Sequence, residues 1–108
     1  MTEAMLVFTT CANREEASRI ARVVVEERLA ACVQIVGDIQ SVYHWQGAIE
    51  ESREVLVLIK SLVASFEDLQ ARITGLHSYE TPEIVAIPIL AGAKDYLAWL
   101  AGSTQGAG

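Results

Sequence analysis

The stretch VQIVGDIQSVYHWQGAIEESREVLVLIK, Val33 to Lys60, reads as two long strands joined by one tight turn. Val33, Ile35, Ile39, Ser41, Tyr43 and Trp45 hold odd positions and alternate with Gln34, Asp38, Gln40 and His44, the two-residue period of a strand. Gly37 interrupts the run and marks a bulge or bend. Gln46-Gly47 supplies the turn, and Ile49 to Lys60 returns as the second strand. Its end, Val55-Leu56-Val57-Leu58-Ile59, is apolar without alternation, as a strand buried on both faces is.

Working outward, Met5 to Cys11 is a short β-prone run. Asn13 follows as an N-cap with Glu16 three residues on, a capping-box arrangement. Ala17, Ile20, Ala21, Val24 and Val25 then share one helical face, and the helix is expected to end near Leu29. Beyond the paired strands, Leu62, Phe66, Leu69, Ile73 and Leu76 give a second helix, broken near Gly75. His77 to Glu83 is a polar loop. Ile84 to Leu90 is a fourth strand, in which Pro88 argues for an edge position or an early end to pairing. Ala93 to Ala101 forms a short last helix closed by Gly102, and Ser103 to Gly108 is expected to be a disordered tail. The reading is a single domain over residues 1–102, of α+β class: a ferredoxin-like β-α-β-β-α-β arrangement with an antiparallel sheet and a short C-terminal helix.

Composition narrows the function. Of the 108 residues 52% are hydrophobic and only 20% charged, more apolar material than a chain this short needs for one core. Two helices cover one face of such a sheet, so the apolar second face of residues 55–59 and 84–90 is expected to be covered by other copies of the chain. Eight Lys+Arg against fourteen Asp+Glu disfavour nucleic acid and anionic membranes as partners. No apolar run is long enough to span a bilayer, and Met1-Thr2-Glu3-Ala4 has no basic leader, so a cytoplasmic location is expected. Isolated glycines form no phosphate loop, and no nucleophile–base spacing is present, so a hydrolase or kinase-like activity is not expected.

Candidate ligands are few. Cys11 and Cys32 are soft donors suited to copper or zinc, but twenty residues apart they do not make a closed structural site. Cys32, in an apolar strand start, reads as a packing residue. Cys11, beside the polar Ala12-Asn13 turn, reads as the more accessible thiol. His77 with Glu80 and Glu83 is the densest group of donors, against the plainer reading of a histidine bracing a loop. His44 points away from Tyr43 and Trp45 and reads as exposed. Tyr43, Trp45, Tyr79, Tyr96 and Trp99, with Lys60, are candidates to line a cleft between subunits, although anchoring an interface explains the aromatics more simply.

Four segments in order, Leu29-Ala30-Ala31-Cys32, Ser41 to Glu50, His77 to Ile84 and Tyr96-Leu97-Ala98-Trp99-Leu100, resemble the CutA family of divalent-cation tolerance proteins. The resemblance runs from about Met5 to Leu100. It implies a ferredoxin-like subunit in a homotrimer similar to PII signalling proteins, with no obligatory cofactor, an ability to bind divalent copper, and a role in the response to metal ions. A PII-like sensor or scaffold, taking a small anion, a nucleotide or a partner protein in its inter-subunit clefts, is the alternative. The copper site implied by the family uses a first-strand cysteine and two adjacent histidines. Here Thr9 stands at the cysteine position with Cys11 two residues on, and Leu76-His77 stands at the histidine pair. The metal set expected for this chain is therefore His77, Cys11, Glu80 and Glu83.

Overall fold

The two strands read from residues 33–60 are the longest elements of the computed structural model, which describes residues 2–104: β2 is Cys32–Trp45 and β3 is Ala48–Leu62. Between them Gln46 and Gly47 have φ of 49° and 82°. Two left-handed central residues are what a type I′ turn needs, and its twist suits a tight hairpin. The remaining strands are β1, Ala4–Cys11, and β4, Ile84–Pro88. The sheet order is β2-β3-β1-β4 with every neighbour antiparallel, which is the ferredoxin-like arrangement. β4 lies at an edge and ends at Pro88, whose nitrogen faces away from β1, and backbone contact continues one residue on, the Ile89 N–H donating to Ala4 O at 3.0 Å.

Helices α1, Arg14–Glu26, and α2, Phe66–Leu76, lie on one face. Ala17, Ile20 and Val24 of α1 and Leu69 and Ile73 of α2 meet Met5, Val7, Val57 and Ile59 in the main core. Burying each of the Val, Leu, Ile and Met side chains among these contributes roughly 1.5–3 kcal/mol. The third helix, α3, Lys94–Gly102, docks elsewhere. Its fully buried Leu100 packs with Ala4 and Leu62, which alternate away from the main core, and with Ala31 just before β2.

Four local readings change. The bulge at Gly37 exists, between Val36↔Leu56 and Asp38↔Val55, and it reverses the side-chain parity. Ile39, Ser41, Tyr43 and Trp45 therefore fall on the opposite face from Val33 and Ile35. Helix α1 ends at Glu26, short of Leu29, because Arg28 adopts a left-handed φ of 59° and turns Leu29 and Ala30 into the core. Leu62 keeps time with the second helix but belongs to β3, pairing with Ala4; a 3-10 turn at Val63–Ser65 separates it from α2. Ser103 and Thr104 continue from α3: the Thr104 side chain is buried and its hydroxyl donates to Leu100 O at 2.9 Å. The rest of the predicted tail, 105–108, lies outside the described residues.

The face of the sheet opposite α1 and α2 is apolar and only partly covered by α3. Val85 and Ile87 of β4 and Val36 of β2 are exposed there. β1 ends at Cys11, opposite Val55, so the hairpin beyond Asp38 and Val55 continues as a two-stranded arm. Val42 and Ile49 on one face of that arm and Trp45 on the other are 56–63% exposed, apolar surface that the subunit alone leaves in water. Among the described residues, no helix is long and apolar enough to cross a membrane.

Candidate metal centre

Where β1 stops, three segments converge. β4 begins opposite Thr9, so it does not reach the Thr10 carbonyl. His77, the first residue after α2, reaches it instead, with Nε2 2.8 Å from Thr10 O. The other ring nitrogen, Nδ1, accepts the Tyr79 amide at 3.0 Å. These two bonds fix the neutral tautomer with its proton on Nε2. Cys11 Sγ lies 4.0 Å from the same Nε2.

Glu16 closes the group. Asn13 Oδ1 accepts the Glu16 amide at 2.9 Å, as the N-cap reading requires. The Glu16 carboxylate reaches back to the Ala12 amide at 3.2 Å and across to the Ser78 amide at 2.7 Å. One buried side chain thus ties the start of α1 to the loop after α2. Burial acts to raise its pKa, but the bonds from Ser78 and Ala12 and the nearby His77 prevail and hold it below the usual carboxylate value. Cys11 moves the other way: burial first, then the negative charges of Glu16 and Glu54, push its thiol up to about 12.

Cys11, Glu16 and His77 each offer one ligand atom, and these atoms lie within 4.8 Å of one another. Among the described residues this is the one such group. Sulfur, imidazole nitrogen and carboxylate oxygen together suit a borderline divalent ion such as copper or zinc. The donor types therefore fit the ion that the family implies. The ring is the obstacle: ligation through Nε2 requires its proton to leave Thr10, and a proton on Nδ1 would face the Tyr79 N–H.

The sequence-derived candidates separate into those the fold assembles and those it does not. Cys11 and His77, 66 positions apart, are brought together. Glu80 and Glu83 are exposed and stay out of the group. The expected accessibilities of the two cysteines are exchanged. Cys11 is fully buried because it faces the helices with Val7 and Thr9, whereas Cys32, cross-strand from Lys60 on the less covered face, is half-buried. Thr9 faces the core too, and its buried hydroxyl has no hydrogen-bond partner among the described residues. Glu16 was legible only as a capping residue, since its bond to Ser78 spans 62 positions.

The cleft candidates fall into three places. Tyr79 donates to Glu54 Oε2 at 2.8 Å, with its ring 4.7 Å from that of His77, so it borders the metal group. Its hydroxyl pKa is raised, by burial first and then by the bond to Glu54. Lys60 Nζ sits 3.4 Å from Tyr96 Oη and 5.4 Å above its ring, and Trp99 lies 5.5 Å beyond. Tyr43 and Trp45 are out on the arm, Tyr43 donating to Ser52 Oγ at 3.3 Å.

The family model described as CutA1 divalent ion tolerance protein matches residues 5–103. A Thermus thermophilus relative named divalent-cation tolerance protein CutA is 46% identical over 99 residues, 92% of this chain and 96% of that one. A solved structure described as divalent cation tolerance protein (Cut A1) from the same organism superposes with a TM-score of 0.92, covering 94% of this chain and 98% of the other. The chloroplastic protein CutA of Arabidopsis thaliana is 40% identical over 94% of this chain, which spans 56% of that protein. A structure from Archaeoglobus fulgidus, described as a periplasmic divalent cation tolerance protein CutA, is 37% identical with a TM-score of 0.90, covering 93% of this chain and 97% of that one.

Proposed function

This chain belongs to the CutA1 divalent ion tolerance family, and on that premise we propose that it is a homotrimeric cytoplasmic protein that binds divalent metal, copper foremost, in the response to metal ions. It acts by binding and not by catalysing a reaction. The observation that carries the metal reading is the 4.0 Å approach of Cys11 Sγ to His77 Nε2 in a group of three donors. Divalent copper is the ion to titrate, by calorimetry and by the visible absorbance of copper–thiolate charge transfer. Unchanged copper affinity in the double variant Cys11→Ser, His77→Ala would refute the assignment.

Assembly into a trimer is supported by the exposed apolar residues of the open face and of the arm, which a lone subunit leaves in water. Light scattering is expected to give about three times 11.7 kDa at micromolar concentration; a monomer there overturns the proposal. Two free cysteines accord with a reducing compartment. The Archaeoglobus protein's description as periplasmic names the rival location, and cell fractionation separates the two.

A second reading has its own observation. Lys60 above Tyr96, with Trp99 alongside, puts a cation against an aromatic pair on the open face. A PII-like sensor or scaffold would use such a place for a small anion, a nucleotide or a partner protein. Thermal-shift screening of nucleotides and organic anions tests the ligand form, and a metal-independent pull-down tests the scaffold form.

A further inference from the structure

We propose that Glu16 is the third ligand of the metal group, and that an ion held by Cys11, Glu16 and His77 evicts the Tyr79 amide from the His77 ring. This rests on the metal-binding reading above and adds to it a ligand, an ion class and a structural consequence.

The ligand follows from lone pairs. An ionised carboxylate has about four acceptor sites, and Glu16 uses one on each oxygen, for Ala12 and Ser78. It can therefore take an ion without releasing either amide. It is also the only carboxylate among the described residues that joins Cys11 and His77 within 4.8 Å. Donors around a tetrahedral ion, with bonds of about 2.0–2.3 Å, stand roughly 3.3–3.8 Å apart. The three groups need to close by about an ångström, well within side-chain adjustment.

The ion class follows from the donors. One sulfur and one imidazole favour copper or zinc, whereas magnesium and calcium require oxygen throughout; the sulfur binds as the thiolate, the Cys11 thiol proton passing to solvent as the ion enters. The consequence follows from the ring. His77 keeps its proton on Nε2 only because Thr10 O accepts there and the Tyr79 N–H points at Nδ1. A neutral ring that gives Nε2 to an ion carries its proton on Nδ1, and two N–H groups then face each other. The Tyr79 amide must turn away. Tyr79 is also bonded through its hydroxyl to Glu54 on β3, so the displacement begins where the loop meets the strand that leads into the arm.

The test uses zinc for affinity and cobalt for its sulfur charge-transfer band, on the full chain and on Glu16→Gln. Zinc affinity is expected to fall at least tenfold in Glu16→Gln, while magnesium at a thousandfold excess leaves zinc bound. Amide hydrogen exchange at Tyr79 is expected to accelerate at least tenfold on zinc addition. Equal affinity in Glu16→Gln, with binding lost in Cys11→Ser and His77→Ala, removes Glu16 and leaves the metal reading standing. Binding unaffected by all three substitutions defeats both. Unaltered Tyr79 exchange in the zinc-loaded protein refutes the eviction. Should Glu16→Gln not fold, Glu16→Asp keeps the charge and withdraws the carboxylate by one methylene, with the same tenfold loss expected and the same refutation.

Discussion

Replacing Glu16 by alanine removes the acceptor of two backbone amides, Ala12 at 3.2 Å and Ser78 at 2.7 Å. Hydrogen bonds to a charged group are worth about 1.5–3 kcal/mol each, which sets an upper figure near 6 kcal/mol. Ala12 and Ser78 are both exposed, however, so water replaces the carboxylate and each loss falls to about 1 kcal/mol. Alanine is the better helix former by a few tenths of a kcal/mol, and a desolvated carboxylate disappears with the side chain. The net cost is then about 1.5 kcal/mol, or roughly 6–12 °C in Tm for a domain of this size. The pH dependence gives a second check. The folded pKa of Glu16 lies below the ordinary 4.5, so its contribution is fully present above pH 4.5 and is lost as the pH falls through the folded value. Calorimetric melts of both proteins at pH 7 and pH 3 should show the gap in Tm narrowing in acid. A gap below 2 °C at pH 7, or one that persists unchanged at pH 3, would refute the role given to this residue.

Thr9→Val replaces an unpartnered buried hydroxyl with a methyl of similar shape and is expected to stabilise the protein by about 1 kcal/mol, read from urea unfolding; a loss of stability would mean that the hydroxyl has a partner. Cys11 titrates near 12 in the folded protein against 9 in the unfolded chain, so its contribution is complete below pH 9 and is lost as the pH rises toward 12. The urea midpoint should fall across that window, and fall less in Cys11→Ala; parallel curves would contradict the shift. Gly47→Ala puts a side chain on a residue with φ of 82° and should cost about 1 kcal/mol, with no steric clash to add to it; unchanged stability would be evidence against the type I′ turn.

What could be read in advance was what depends on near neighbours along the chain. Strand alternation, the Asn13 cap and the Gln46-Gly47 turn are each specified within a few residues, and the order of elements then leaves few topologies. Leu62 fitted the helical spacing as well as it fitted a strand, and only its pairing with Ala4, 58 positions away, decides between them. Arg28 carries no signal of a left-handed conformation because any non-glycine residue disfavours it. At the site, nearness in sequence was a poor guide. Glu80 and Glu83 follow His77 closely but face solvent, whereas Cys11 and Glu16 meet it only because β1, α1 and the loop after α2 end together. Accessibility of the two cysteines depended on which face each strand turned to the helices, and no local pattern carries that.

The arm beyond Asp38 and Val55 has a bearing on how the molecule comes into being. A ribbon of two strands with exposed Val42, Trp45 and Ile49 is marginal in water by itself. Its order has to be supplied by whatever lies against it, and the trimer proposed above supplies it from sister chains. Folding of the arm and association of the chains then become one event. Heat resistance becomes a quantity set partly by dose, with Tm rising as the protein is concentrated and the arm the first part to loosen on dilution.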